Sequence, residues 1–141
     1  MKKILSLIFI AGMFAACSGP LRLDNGDKVL LDKWTLSQDG GNMSFDVTVP
    51  STVAGALYDE GVLGTDLLEG LNYYNADKSV FDTPWTYRTA FDLDVVEGQN
   101  YDLVFNGLNY YADIVLNDVC IASSDTTYGV FIRREYNVTD L

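Results

Sequence analysis

After about residue 28, apolar and polar residues alternate with a period of two, and turn residues interrupt the pattern at hairpin spacing. Met43, Phe45, Val47 and Val49 fall on one side of an extended segment, with Ser44, Asp46 and Thr48 on the other. Such a segment cannot be an amphipathic helix. It is a strand with one face buried. An earlier strand is predicted over Val29–Leu36, and Asp39-Gly40-Gly41-Asn42 supplies the turn of a hairpin between the two. Alternation returns over Thr83–Leu93, with Trp85, Tyr87, Thr89, Phe91 and Leu93 on one face, and Pro84 near its start, where a strand accepts proline. It continues at Tyr101, Leu103 and Phe105, and at Ala112, Ile114 and Leu116. The two-residue turn Asn117-Asp118 leads into Val119–Ser123, and a last strand covers Gly129–Tyr136. Seven or eight short strands at this spacing predict an all-β fold, a β-sandwich or jelly roll.

One segment breaks the pattern. Ser51 or Thr52 can cap a short helix reaching Tyr58 or Asp59, with Val53, Ala56 and Leu57 on one face and Gly61 as the stop. Residues 61–79, rich in Gly, Asn and Asp, are expected as a long irregular loop. Loops of that length in a compact domain usually carry function.

The first residues read differently. Lys2 and Lys3 precede an apolar run, Ile4–Phe14, that is too short to span a membrane comfortably and ends at Ala15-Ala16-Cys17. Phe14-Ala15-Ala16-Cys17 resembles the bacterial lipobox, with Phe in place of the usual Leu. The resemblance implies a signal peptide over residues 1–16 and lipidation of Cys17. Acyl chains would then anchor the protein to a membrane, in the periplasm or at the outer membrane. Residues 17–27 are expected as a tether and 28–141 as the sandwich.

Composition narrows the chemistry. The chain has 20 acidic and 9 basic residues, a net charge of −11, and no histidine. It lacks the cationic surface that nucleic acid binding requires. It cannot assemble a Ser-His-Asp or Cys-His centre or a His-ligated metal site, and neither a metal nor a cofactor is predicted. Cys120 lies in the apolar run Val119–Ala122 and is expected to be a buried structural thiol.

Three segments, taken together and in order, resemble the N-terminal sugar-binding domain of glycoside hydrolase family 2, on its β-mannosidase and exo-β-glucosaminidase side. The first is Val49-Pro50-Ser51-Thr52-Val53. The second is Pro84–Leu93, with its Trp85-Thr86-Tyr87-Arg88 core. The third runs from Tyr101 through Asn106-Gly107-Leu108 to Ala112-Asp113-Ile114-Val115-Leu116-Asn117. The tail from Tyr136 to Leu141 also matches. Asp118 departs from the family, which usually has Gly there. The resemblance covers roughly residues 34–141 and implies a galactose-binding-domain-like jelly roll. It further implies an accessory domain of a retaining β-glycosidase, whose catalytic barrel is not contained in this sequence, so that the sandwich is expected to be incomplete at its C-terminal end. Two other readings stay open: a stand-alone carbohydrate-binding lipoprotein, and a structural or adhesion lipoprotein.

Retaining hydrolysis needs two carboxyl groups about 5–5.5 Å apart. The four glutamates, Glu60, Glu69, Glu97 and Glu135, are expected at turns and strand ends as surface charges, so no catalytic residue is predicted. Sugar contact falls instead to the long loop. By resemblance, Asn72 stands where the family places a loop asparagine, whose amide offers a donor and an acceptor to sugar hydroxyls. Its alternative role is support of the loop backbone. Tyr73 and Tyr74 can stack on a β-linked glycan or pack the loop. Trp85 and Tyr87 are expected in the core, and Arg88, facing the other way, beside an acid.

Overall fold

The computed structural model describes residues 2–4 and 19–141, and most of the segment expected as a signal peptide, with Cys17, lies outside the described residues. Strands occupy Lys2–Ile4 (β1), Lys33–Gln38 (β2), Ser44–Thr48 (β3), Trp85–Arg88 (β4), Asp92–Asp94 (β5), Asp102–Phe105 (β6), Ile114–Leu116 (β7), Val119–Ala122 (β8) and Arg134–Asn137 (β9). Helices span Val53–Asp59 (α1) and Asn72–Asn75 (α2). All strand pairs are antiparallel, as an all-β fold built from hairpins requires. The chain divides into two compact units. One is Val29–Thr89, and the other joins Met1–Lys28 to Ala90–Leu141.

The Val29–Thr89 unit is built on a three-stranded sheet in the order β3-β2-β4. The predicted hairpin is present, with Trp34 opposite Val47 and Leu36 opposite Phe45. Its turn closes through Gln38 N–H donating to Met43 O at 3.0 Å. The first strand starts later than predicted, at Lys33, and Val29 and Leu30 are exposed. On the central strand Leu36 is fully buried, a burial contributing about 1.5–3 kcal/mol. Its cross-strand neighbours are Phe45 and Tyr87. β4 is fastened to the hairpin turn by side chains as well as by the ladder. Thr86 Oγ1 donates to Asp39 Oδ1 at 2.7 Å, and Gln38 Nε2 to Thr83 Oγ1 at 2.8 Å.

Helix α1 follows the capping rule. Thr52 Oγ1 accepts from Gly55 N–H at 3.0 Å, satisfying one of the free donors of the first turn. Ala56 and Leu57 are its buried residues. Gly61, at φ 71°, ends it in the left-handed conformation that glycine adopts without strain.

The other unit pairs β1 with β5, β6 with β9, and β7 with β8. Leu21, within the stretch expected as a tether, is pinned to β5: its N–H donates to Asp92 O at 2.7 Å and its carbonyl accepts from Asp94 N–H at 2.8 Å. Tyr101, Ile114 and Leu116 are buried. The space where a Cβ on Gly107 would stand comes within 2.5 Å of Val130 O, which accounts for glycine there.

Several expectations need correction. The single strand predicted over Thr83–Leu93 is two strands, because β4 pairs with β2 while β5 pairs with β1. The last strand begins at Arg134, and Phe131 before it is almost fully exposed. Cys120 is exposed and not buried. The regular register that runs from the turn sets Cys120 opposite Val115, itself exposed, so the thiol shares the outward face.

The turn Asn117-Asp118 has φ of 51° and 64°, the double positive φ of a tight hairpin turn. We expect Asp118→Gly to be tolerated and to raise stability by up to about 1 kcal/mol, since glycine meets no Cβ cost at positive φ. Urea unfolding of the two proteins measures this, and a loss of stability would contradict it.

Candidate functional site: the loop between α1 and β4

The loop leaving α1 is anchored at both ends. At its start, Val62 N–H and Leu63 N–H both bond to Leu57 O, at 2.9 and 3.4 Å, and Leu67 is buried further along. At its end, the residues Ser79–Phe81 form a 3-10 turn. There the indole N–H of Trp85 donates to Val80 O at 3.0 Å. Trp85 is half-buried and stacks on Phe45, the ring centroids 6.3 Å apart. Tyr87 donates to Ser51 O at 3.1 Å, and burial raises its pKa above the ordinary tyrosine value. Trp85 and Tyr87 therefore serve the domain's packing, as expected of them. Arg88 is exposed and forms no ion pair among the described residues, so the acid expected beside it is not there.

Between these anchors the irregular stretch contains one turn of helix, α2, which carries Asn72, Tyr73 and Tyr74 together. Asn72 is half-buried. Its Nδ2 donates both to Asp66 O and to Asp66 Oδ2, each at 2.9 Å. That geometry is the backbone-support role: the donor half of the amide is engaged inside the loop. Tyr73 and Tyr74 are largely exposed, at 62% and 78%. Lys78 lies four residues after Tyr74. Its Nζ stands 5.0 Å from the Tyr73 ring centroid and 6.0 Å from that of Tyr74, and it donates to Tyr74 O at 3.3 Å. Sequence reading missed Lys78, although its spacing from Tyr74 was the available signal. Beside it, Asp77 Oδ1 accepts from Ser79 N–H at 2.9 Å, which holds the carboxyl below its usual pKa.

The four glutamates lie on separate elements. Glu60 caps the C-terminus of α1, Glu69 lies in the loop, and Glu97 sits in a turn of the other unit. Glu135 pairs with Arg133. Among the described residues, no group of three or more His, Cys, Asp or Glu side chains is placed to hold a metal ion.

The antiparallel strand pairs and short capped helix are consistent with a galactose-binding-like β-sandwich domain, the class that the family match defines. Residues 34–141 match the glycosyl hydrolase 2 galactose-binding domain-like family, and the chain belongs to that family. It is similar to the β-mannosidase of Mus musculus, 30% identical over 142 residues, covering 97% of this chain and 15% of the relative. It is also similar to β-mannosidase B of Emericella nidulans, 35% identical over 117 residues, covering 79% of this chain and 13% of the relative. The exo-β-D-glucosaminidase of Amycolatopsis orientalis is 30% identical over 95 residues, covering 67% of this chain and 9% of the relative. The chain thus spans about 15% of the length of the mouse enzyme. No solved structure matches it at a significant level.

Because Asn72 holds the loop closed onto Asp66, Asn72→Ala should destabilise the loop locally by about 1 kcal/mol. Amide hydrogen exchange should then rise at Glu69 and Asn72, whose N–H groups bond within this turn. Unchanged exchange there would refute the support role.

Proposed function

We propose that this chain is the sugar-contacting module of a β-mannosidase-like retaining glycosidase, with bond cleavage carried out by a part of the enzyme outside these 141 residues. The observation that carries the reading is the family match over residues 34–141, together with relatives that are β-mannosidases. The chemistry agrees with it. Retention needs a paired acid and nucleophile, and the four glutamates are distributed over a helix cap, a loop, a turn and a strand. What the module offers a glycan is surface: two outward tyrosines, each with an apolar face and a polar tip. Asn72 serves them by fixing the turn that presents them, and its amide oxygen is the remaining acceptor.

Two measurements test this together. In an NMR titration, β-1,4-mannotriose should bind the chain saturably in the millimolar range, and the double variant Tyr73→Ala/Tyr74→Ala should lose that binding. The chain alone should leave p-nitrophenyl β-D-mannopyranoside intact. Turnover by the chain would overturn the division of labour, and absence of binding would overturn the sugar-contact assignment.

We also propose lipidation at Cys17 and a membrane-anchored location outside the cytoplasm. Support comes from Lys2, Lys3, the apolar run and Ala15-Ala16-Cys17. Expression in a bacterial host with labelled palmitate should label the wild type and leave Cys17→Ser unlabelled. Equal labelling of the two, or none of either, would refute the anchor.

A further inference from the structure

The Lys78 ammonium lies against aromatic rings and not against a carboxylate. The sequence has 20 acidic residues, and of the described basic side chains Arg133 alone is in an ion pair. Among the described residues, Lys78 pairs with none of the carboxylates, Asp77 next to it included. Its charge rests over the rings of Tyr73 and Tyr74. Tyr73, Asp77 and Lys78 also line a cavity of about 100 Å³ whose other walls include Leu63, Leu67 and Phe81. The two rings are the most exposed aromatic surface of the loop, and this cation stands over both of them.

We propose that Lys78 is a built-in cap on this aromatic surface. A glycan ring stacking on Tyr73 or Tyr74 must first displace the ammonium. This rests on the reading of the two tyrosines as a sugar surface and adds a competitor to it. A sugar presents its C–H face to a ring where the ammonium presents its charge, and the two cannot share one ring face. Among the described residues the cap is held by the ring attraction and by one hydrogen bond of 3.3 Å to Tyr74 O, so a ligand of modest affinity can move it. After displacement the long side chain is free to swing into solvent, and its stem leaves the cavity mouth.

The test is an NMR titration of the full chain with β-1,4-mannotriose, following the backbone amide resonances of residues 72–78 in four proteins. Lys78→Met keeps the stem and removes the charge. It should bind about two- to five-fold more tightly than wild type, the range given by one exposed cation–π contact. Lys78→Arg keeps the cap and should bind like wild type or more weakly. Tyr73→Ala/Tyr74→Ala should not bind. If Lys78→Met binds equally or more weakly while the double tyrosine variant still loses binding, the cap is wrong and the sugar surface stands. If neither wild type nor Lys78→Met binds, the sugar surface falls and the cap falls with it. Circular dichroism of each variant separates loss of binding from loss of fold.

Discussion

The candidate site depends on Trp85. Its ring stacks on Phe45 across the face of the β3-β2-β4 sheet, and its indole N–H reaches out to Val80 O at the end of the loop. One side chain thus joins two tasks, packing the sheet and terminating the loop. Trp85 is half-buried, and an indole N–H withdrawn from water without an acceptor costs up to about 1–3 kcal/mol, so the loop's last turn and the sheet packing are coupled through one side chain. The other end is held by the same logic, where Leu57 is buried in α1 and its carbonyl receives the first amides of the loop. A segment of irregular backbone can present side chains in defined positions only when both ends are fixed in this way.

Most of the strand framework is legible in the sequence, because alternation and burial are the same fact seen twice. Met43 to Val49 alternates, and Phe45 and Val47 do meet Leu36 and Trp34. Thr52 and Gly61 announce the ends of α1 by chemistry that is local to them. Errors arise where the signal is not local. Thr83 to Leu93 alternates without interruption, yet the chain changes sheet partner after Arg88. Nothing in a periodic pattern records which strand is the neighbour. Cys120 fails for a related reason: Val119 to Ala122 is apolar throughout, so no alternation says which residues face inward. The pairing across the turn, which sets Cys120 opposite the exposed Val115, then decides the matter.

The site was legible in its residues and not in their division of labour. Asn72, Tyr73 and Tyr74 stand out in the sequence as a polar and aromatic triplet in a long loop, and α2 does bring them into one turn. Sequence cannot show that the Asn72 donor is consumed by Asp66, because that depends on the loop folding back across six residues. Nor does it show that the tyrosines face outward. Tyrosine is as common in packing as in recognition, and only exposure distinguishes the two.

What is left unspent inside the loop decides what the loop can offer to a ligand. The Asn72 amide nitrogen is bound twice over, and one Asp77 oxygen holds the Ser79 amide. The Lys78 ammonium has three donors and a single hydrogen-bond acceptor in Tyr74 O. The rings beneath it are largely exposed. A polar group already satisfied holds a shape, and a group satisfied only weakly can exchange its partner. By that criterion the asparagine is the frame of the loop, while the two tyrosines and the lysine over them are the surface that the proposal makes exchangeable.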